Sequence, residues 1–235
     1  MSLFVSMHVD CPECDHTNTM DAVGSVNADR RPDLREEILE DQFQIIKCAN
    51  CDTEFRLQPE FNYLDVENGL WILAMPAAGV ADYIENEDKT TALFGTSYGA
   101  DAPDAAQTVG DNLTCRLTFG WLAAREKLVL RIAGLDDIIV EMMKMDLLRR
   151  MPGAHFDIGV ELRVTSVSDE NLELAWVRAE SEEALEFMAV SKEAYFSVEN
   201  ARDQWGGIEA QLTDGPFVDI QKLFLGSGRN QDAAE

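Results

Sequence analysis

The sequence predicts an α+β chain, on three observations. Two Cys-x-x-Cys pairs stand among short strand-like segments in the first third of the chain. Apolar residues recur at helical spacing from Trp121 to about Arg150. From Phe156 to Thr165 apolar and polar residues alternate, and a second apolar run follows a turn.

In the first part, residues 1–75, strands are expected over 3–9, 20–26, 43–47 and 54–57. A short helix is expected over 32–39, between the cysteine pairs. Pro32 suits its first turn, and Asp33, Glu36 and Glu37 sit near the positive end of its dipole. Residues 76–112 are rich in Gly, Ala, Asp and Thr, as in Gly95-Thr96-Ser97-Tyr98-Gly99, and read as a connector or long loop with a short helix around 81–85. The part 113–225 opens with a strand over 113–119 and a helix over 121–133, which Gly134 breaks. A second helix follows, with Asp136 or Asp137 as its N-cap, and stops at Pro152-Gly153. The alternating run beyond it is expected to be a half-buried strand. Ser168 to Asn171 turn the chain, and residues 172–178 return as the antiparallel hairpin partner. A further helix is expected near 191–201, and residues 226–235 read as a disordered tail.

Five cysteines in a chain without a secretory signal argue for metal and against a disulfide framework. Cys11-Pro12-Glu13-Cys14 is separated by 33 residues from Cys48-Ala49-Asn50-Cys51. A two-residue spacer lets both sulfurs of a tight turn reach one ion. Two such turns facing each other make a tetrahedral four-thiolate site. Such knuckles favour a left-handed residue after the second cysteine, and Asp15 and Asp52 stand there; Asp tolerates that conformation better than most. The four sulfurs predict one structural Zn2+, with iron in a rubredoxin-like site as the alternative ion. Redox chemistry would need a pair at a helix N-terminus, and neither is followed by a convincing helix. His8 and His16 flank a filled coordination shell, His155 reads as a turn residue, and Cys115 as a small buried thiol in a strand.

The first 75 residues resemble the CpXC family, prokaryotic proteins named for two Cys-Pro-x-Cys motifs. The resemblance rests on both cysteine pairs, on Phe61-Asn62-Tyr63-Leu64-Asp65, and on Trp71-Ile72-Leu73-Ala74-Met75-Pro76. It resumes with Arg125-Glu126-Lys127, Gly134-Leu135-Asp136-Asp137, Glu141 and Lys144. It implies a zinc-ribbon-like metal site and no activity. Ala49 departs from the family pattern, and the loss of a stiffening proline there is expected to weaken the second knuckle slightly.

Charge narrows the function classes. Nineteen Lys and Arg against 44 Asp and Glu leave a net −25, and residues 1–75 alone carry five basic groups against 15 acidic ones. Nucleic-acid and membrane surfaces reward clustered cations, so neither partner is expected. The longest nearly uncharged apolar run, residues 70–80, is too short to span a bilayer. A soluble cytoplasmic protein is expected. The helix from Leu135 is apolar almost all round, with Asp137, Glu141 and Lys144 as a narrow polar stripe. The stripe reads either as a cap with a Glu141–Lys144 pair or as a partly buried polar site. The methionines there are compatible with a homodimer. The expected function is a zinc-stabilised binding or scaffold protein acting through protein–protein contacts. The alternatives are an enzyme using Asp136, Asp137 and Glu141 as acid/base groups, or a Cys-x-x-Cys redox or iron protein.

Overall fold

The computed structural model describes residues 3–151 and 159–226. The expected stop at Pro152-Gly153, the His155 turn, the strand residues Phe156 and Ile158, and residues 227–235 of the tail lie outside the described residues.

Strands β1 (Leu3–Asp10) and β2 (Thr17–Asn27) form an antiparallel hairpin whose turn holds the first cysteine pair. The helix α1 (Pro32–Leu39) follows, with its proline in the first turn as expected. The short strands β3 (Ile45–Lys47) and β4 (Glu54–Arg56) form a second hairpin around the second pair. Strands β5 (Phe61–Asp65), β6 (Leu70–Met75) and β7 (Thr114–Phe119) then extend the first hairpin into a mixed sheet of order β1-β2-β5-β6-β7. The β6 run is apolar because that strand is central: Leu70, Trp71, Ile72 and Ala74 are all buried.

The connector expected over 76–112 is instead helical. A 3-10 turn at Ala77–Asp82 leads into α2 (Tyr83–Tyr98), and α3 (Asp104–Gly110) packs back on it. Thr and Gly give α2 a low intrinsic helix propensity, and tertiary contacts override it. Phe94 meets Trp71 edge-on at 5.4 Å, and Tyr83 packs on Phe217 at 5.7 Å. Gly110 is required by the close approach, since a Cβ there would lie 2.1 Å from the Tyr98 carbonyl oxygen.

Helices α4 (Trp121–Ile132) and α5 (Asp137–Arg150) are joined through Gly134, which sits at φ +69°. Strands β8 (Val160–Val167), β9 (Asn171–Arg178) and β10 (Ala184–Ser191) form an antiparallel meander with β9 in the centre, so the expected hairpin gains a third strand. Helices α6 (Lys192–Asn200), α7 (Gly206–Leu212) and α8 (Gln221–Leu225) complete the described chain.

Two hydrophobic clusters, one mainly of residues 23–74 and one of residues 130–220, meet at α4. Strand β7 pairs in parallel with β6, and α4 forms a wall shared by both parts. Trp121, Ala124 and Leu128 pack with Val26, Ile38, Phe43, Phe61 and Ile72, while Leu130 of the same helix packs with Ile139, Met142, Leu162 and Trp176. The Trp121 indole N–H donates to the Leu57 carbonyl at 2.6 Å. Arg125 donates to the carbonyls of Leu39 and Thr165, joining the two parts again.

Candidate metal centre

The tip of β1–β2 and the tip of β3–β4 face one another, and their four cysteine sulfurs all lie within 4.8 Å of one another. Cys11 and Cys51 stand 3.6 Å apart, and Cys14 and Cys48 stand 3.7 Å apart. Tetrahedral bonds of about 2.3 Å from sulfur to a central ion require sulfur separations of about 3.8 Å. The same spacing is far beyond a disulfide bond of about 2.05 Å. The cysteines are positioned to bind one metal ion.

Local backbone chemistry builds each half of the site. Asp15 and Asp52 sit at φ +53° and +61°, the left-handed place expected after each pair. Their amides donate to the carbonyls of Cys11 and Cys48, which closes both turns. The Asn50 amide approaches Cys48 Sγ at 3.4 Å, and the Asn50 side-chain amide approaches Cys14 Sγ at 3.5 Å. Burial pushes the Cys48 thiol up, but the amides of Cys51 and Asn50 and the side chain of Asn18 outweigh it and bring its pKa down to about 6. Cys51 is also held below the ordinary thiol value, chiefly by the Thr53 hydroxyl. Burial pushes Cys11 up to about 11. A bound cation would favour the thiolate at all four positions.

Asn18 is the residue that spacing alone did not single out. It is buried, its side-chain amide lies 3.0 Å from the His16 carbonyl and 3.7 Å from Cys48 Sγ, and its carbonyl accepts from the Ala49 amide at 3.0 Å. Asn18 thus links the two knuckles without being a ligand. It also changes the meaning of Ala49. Proline has no N–H to give Asn18, so the departure from Cys-Pro-x-Cys supplies a hydrogen bond that the family pattern cannot make. The side chain of His8 meets Thr19 at 3.1 Å, and His16 contributes its backbone carbonyl. Cys115 lies on β7 and is not among the four clustered sulfurs. It is part-buried, and burial pushes its thiol up to about 12.

A second polar assembly lies under α4 and α5. The predicted stripe of Asp137, Glu141 and Lys144 joins it, but as a buried ion cluster. Lys144 Nζ lies 2.6 Å from Glu126 and 3.0 Å from Glu141, with all three side chains fully buried. Arg163 pairs with Glu126, Glu161 and Asp219. Lys127 pairs with Asp137 at 2.9 Å, and Arg116 grips the same carboxylate with two hydrogen bonds. Backbone amides complete the shell: Val164 donates to Glu126, and Ile220 to Glu141. The cluster therefore brings four cations to five carboxylates. Burial pushes the Glu141 carboxyl up to about 6 against the pull of Lys144. Burial also opposes ionisation of Glu126, where Lys144 and Arg163 prevail and hold it low.

This cluster corrects one expectation. Strand β8 is buried on both faces, because its polar side carries Glu161 and Arg163 against α4 and not against water. Met142 and Met143 are buried in the core that α5 shares with β8 and β9. Asp136 is the α5 N-cap, accepting from the Ile138 amide at 2.9 Å. Neither it nor Asp137 nor Glu141 lines the cavities of about 40, 700 and 770 Å³ among the described residues.

Comparison with known proteins adds one match. Residues 9–144, more than half of the chain, match the family model described as CpXC protein. The matched span runs from just before Cys11 to Lys144 of the ion cluster. No curated protein and no solved structure matches the chain.

Proposed function

The chain therefore belongs to the CpXC family, and on that premise we propose that it is a zinc-stabilised binding or scaffold protein acting through protein–protein contacts. The observation that carries this reading is the four-sulfur cluster at two facing hairpin tips. Four thiolates fill a tetrahedral shell and leave no open position for a substrate or an activated water, so the ion's part is structural. Zinc is the ion assigned, and iron the alternative for the same four sulfurs. Neither cysteine pair stands at a helix N-terminus, which is the setting a Cys-x-x-Cys redox site uses.

Two further features support contact with a protein. Strand β1 is the edge of its sheet, and Leu3, Phe4, Val5 and Met7 are each at least 40% exposed there. An edge strand offers unpaired backbone groups to another chain. The net −25 disfavours nucleic acid as the partner. No helix among the described residues is long and apolar enough to cross a membrane. A reducing cytoplasm is the compartment we assign, because four clustered thiols bind an ion only while reduced.

Elemental analysis of the purified chain tests the reading. One zinc per chain is expected, falling to near zero in Cys48→Ser. A stoichiometry near zero with four titratable thiols would overturn the metal site. One iron with visible thiolate absorption would move the assignment to the iron alternative.

A further inference from the structure

A groove of about 770 Å³ opens where the ends of two sheets meet α8. Pro76, Ala77 and Val80, just beyond β6, line one part of it, and Phe224 and Leu225 of α8 line another. Phe224 is 57% exposed and Leu225 is 47% exposed, so this apolar surface faces water. The charged residues among those lining it are Glu161 and Glu180, both acidic. Behind it, a cavity of about 40 Å³ shares Val160, Glu161, Gln221 and Phe224 and is also lined by Arg163 and Asp219. The apolar groove therefore borders the edge of the buried ion cluster.

Charge complementarity selects the occupant. Glu161 is buried and ion-paired with Arg163, so Glu180 is the lining carboxylate open to an occupant. In a chain of net −25 it attracts a cation and repels an anion, while the apolar walls gain by covering Phe224 and Leu225. An extended peptide can cross an open groove, placing one side chain on the apolar wall and the next at the acidic end. We propose that this groove docks an extended segment of a protein partner that carries an apolar side chain next to a lysine or arginine. The groove uses none of the four cysteines and no residue of β1, so this inference stands or falls separately from the metal reading.

The test is selection of a displayed random heptapeptide library on the full metal-loaded chain, followed by fluorescence anisotropy with the recovered peptides. Phe224→Asp and Glu180→Lys alter exposed side chains, and circular dichroism checks that both variants keep the fold. Phe187→Asp, exposed on β10 and outside the groove, is the control. The expected result is a consensus pairing an apolar with a basic residue. Affinity should fall about tenfold in Phe224→Asp and severalfold in Glu180→Lys, stay unchanged in Phe187→Asp, and weaken with added salt. Recovery of no peptides, peptides without a basic residue, or equal binding by both groove variants would overturn the proposal. So would self-association of the wild type, measured by sedimentation, that Phe224→Asp abolishes, because the groove would then belong to a second copy of this chain.

Discussion

At the tips of β1–β2 and β3–β4, the polar atoms of the thiol site come from two four-residue motifs. Under α4 and α5, those of the ion cluster come from five places spread along the chain between Arg116 and Asp219. Both assemblies hold separate elements together, but by different means. Each cysteine pair is shaped by its own turn, with a left-handed aspartate closing it, so each half of the site is specified by adjacent residues. Within the ion cluster the local pairs are Glu141–Lys144, one helical turn apart, and Glu161–Arg163, two residues apart on β8, while the pairs that tie the cluster together join separate elements. Its geometry is a consequence of α4, α5 and β8 packing correctly. A site made by local spacing tolerates changes in the rest of the fold, and a site made by packing does not.

The largest expected effect that separates the two comes from Lys144→Met. Removing this ammonium leaves Glu126 and Glu141 buried beside one another without their nearest cation. Breaking a buried ion pair from one side costs about 3–5 kcal/mol, which for a domain of this size lowers the melting temperature by roughly 10 °C. The metal content of the folded fraction should stay at one per chain. A loss below about 1 kcal/mol would mean that the cluster does not hold the core. Loss of metal from the folded fraction would mean that the two assemblies are not independent.

The difference between them also decides what was legible in the sequence. The clustering of the four cysteines, the two aspartate turn positions and the flanking strands were readable because knuckle chemistry is written in adjacent residues. Helix α1 and the Asp136 cap were readable for the same reason. Helix α2 was not, because Thr90, Thr91 and Gly95 speak against a helix that Trp71 and Phe217 hold in place from elsewhere in the chain. The stripe on α5 was visible as a pattern, but its partners were not. Arg163 sits at a polar position of an alternating strand, which reads as water-facing until α4 is placed over it. Arg125-Glu126-Lys127 is the available signal: three consecutive charges span about 200° of a helix, too wide an arc for all of them to avoid its apolar face.

Protonation should sharpen the comparison by a smaller amount. Glu141 carries an ordinary carboxyl value of 4.5 when unfolded and about 6 when folded. Between those values the folded chain keeps a proton that the unfolded chain has released. The stability from this group is therefore complete below about pH 4.5 and is lost as the pH rises through 6. Glu126 and Asp219, held low by Lys144 and Arg163, behave in the opposite sense: their contribution is present above the ordinary carboxyl value and lost as the pH falls. Glu141→Gln keeps a neutral side chain in place at every pH. Its melting temperature should decline less than that of the wild type between pH 5 and 7, by the equivalent of about 1–2 kcal/mol. Any titration of the thiolate centre is common to both proteins and cancels in the difference. Parallel curves would place the excess proton on another carboxyl.

The smallest effect belongs to the thiol site and turns on Ala49→Pro, which restores the family pattern. Stiffening a turn with proline stabilises by about 0.4–1 kcal/mol when the backbone accepts it. The same change removes the N–H that the buried Asn18 carbonyl accepts, and leaving a buried acceptor unpaired costs about 1–3 kcal/mol. The second effect outweighs the first, so the variant should melt slightly lower, by about 1 kcal/mol, with its metal retained because all four ligands remain. In an Asn18→Ala background there is no carbonyl left to strand, and the same proline should then be neutral or stabilising. A higher melting temperature for Ala49→Pro in the wild-type background would show that turn stiffness governs this knuckle and that Asn18 is a neighbour without consequence. The reversal of sign between the two backgrounds would show instead that even the locally encoded site depends on one residue brought to it by β2.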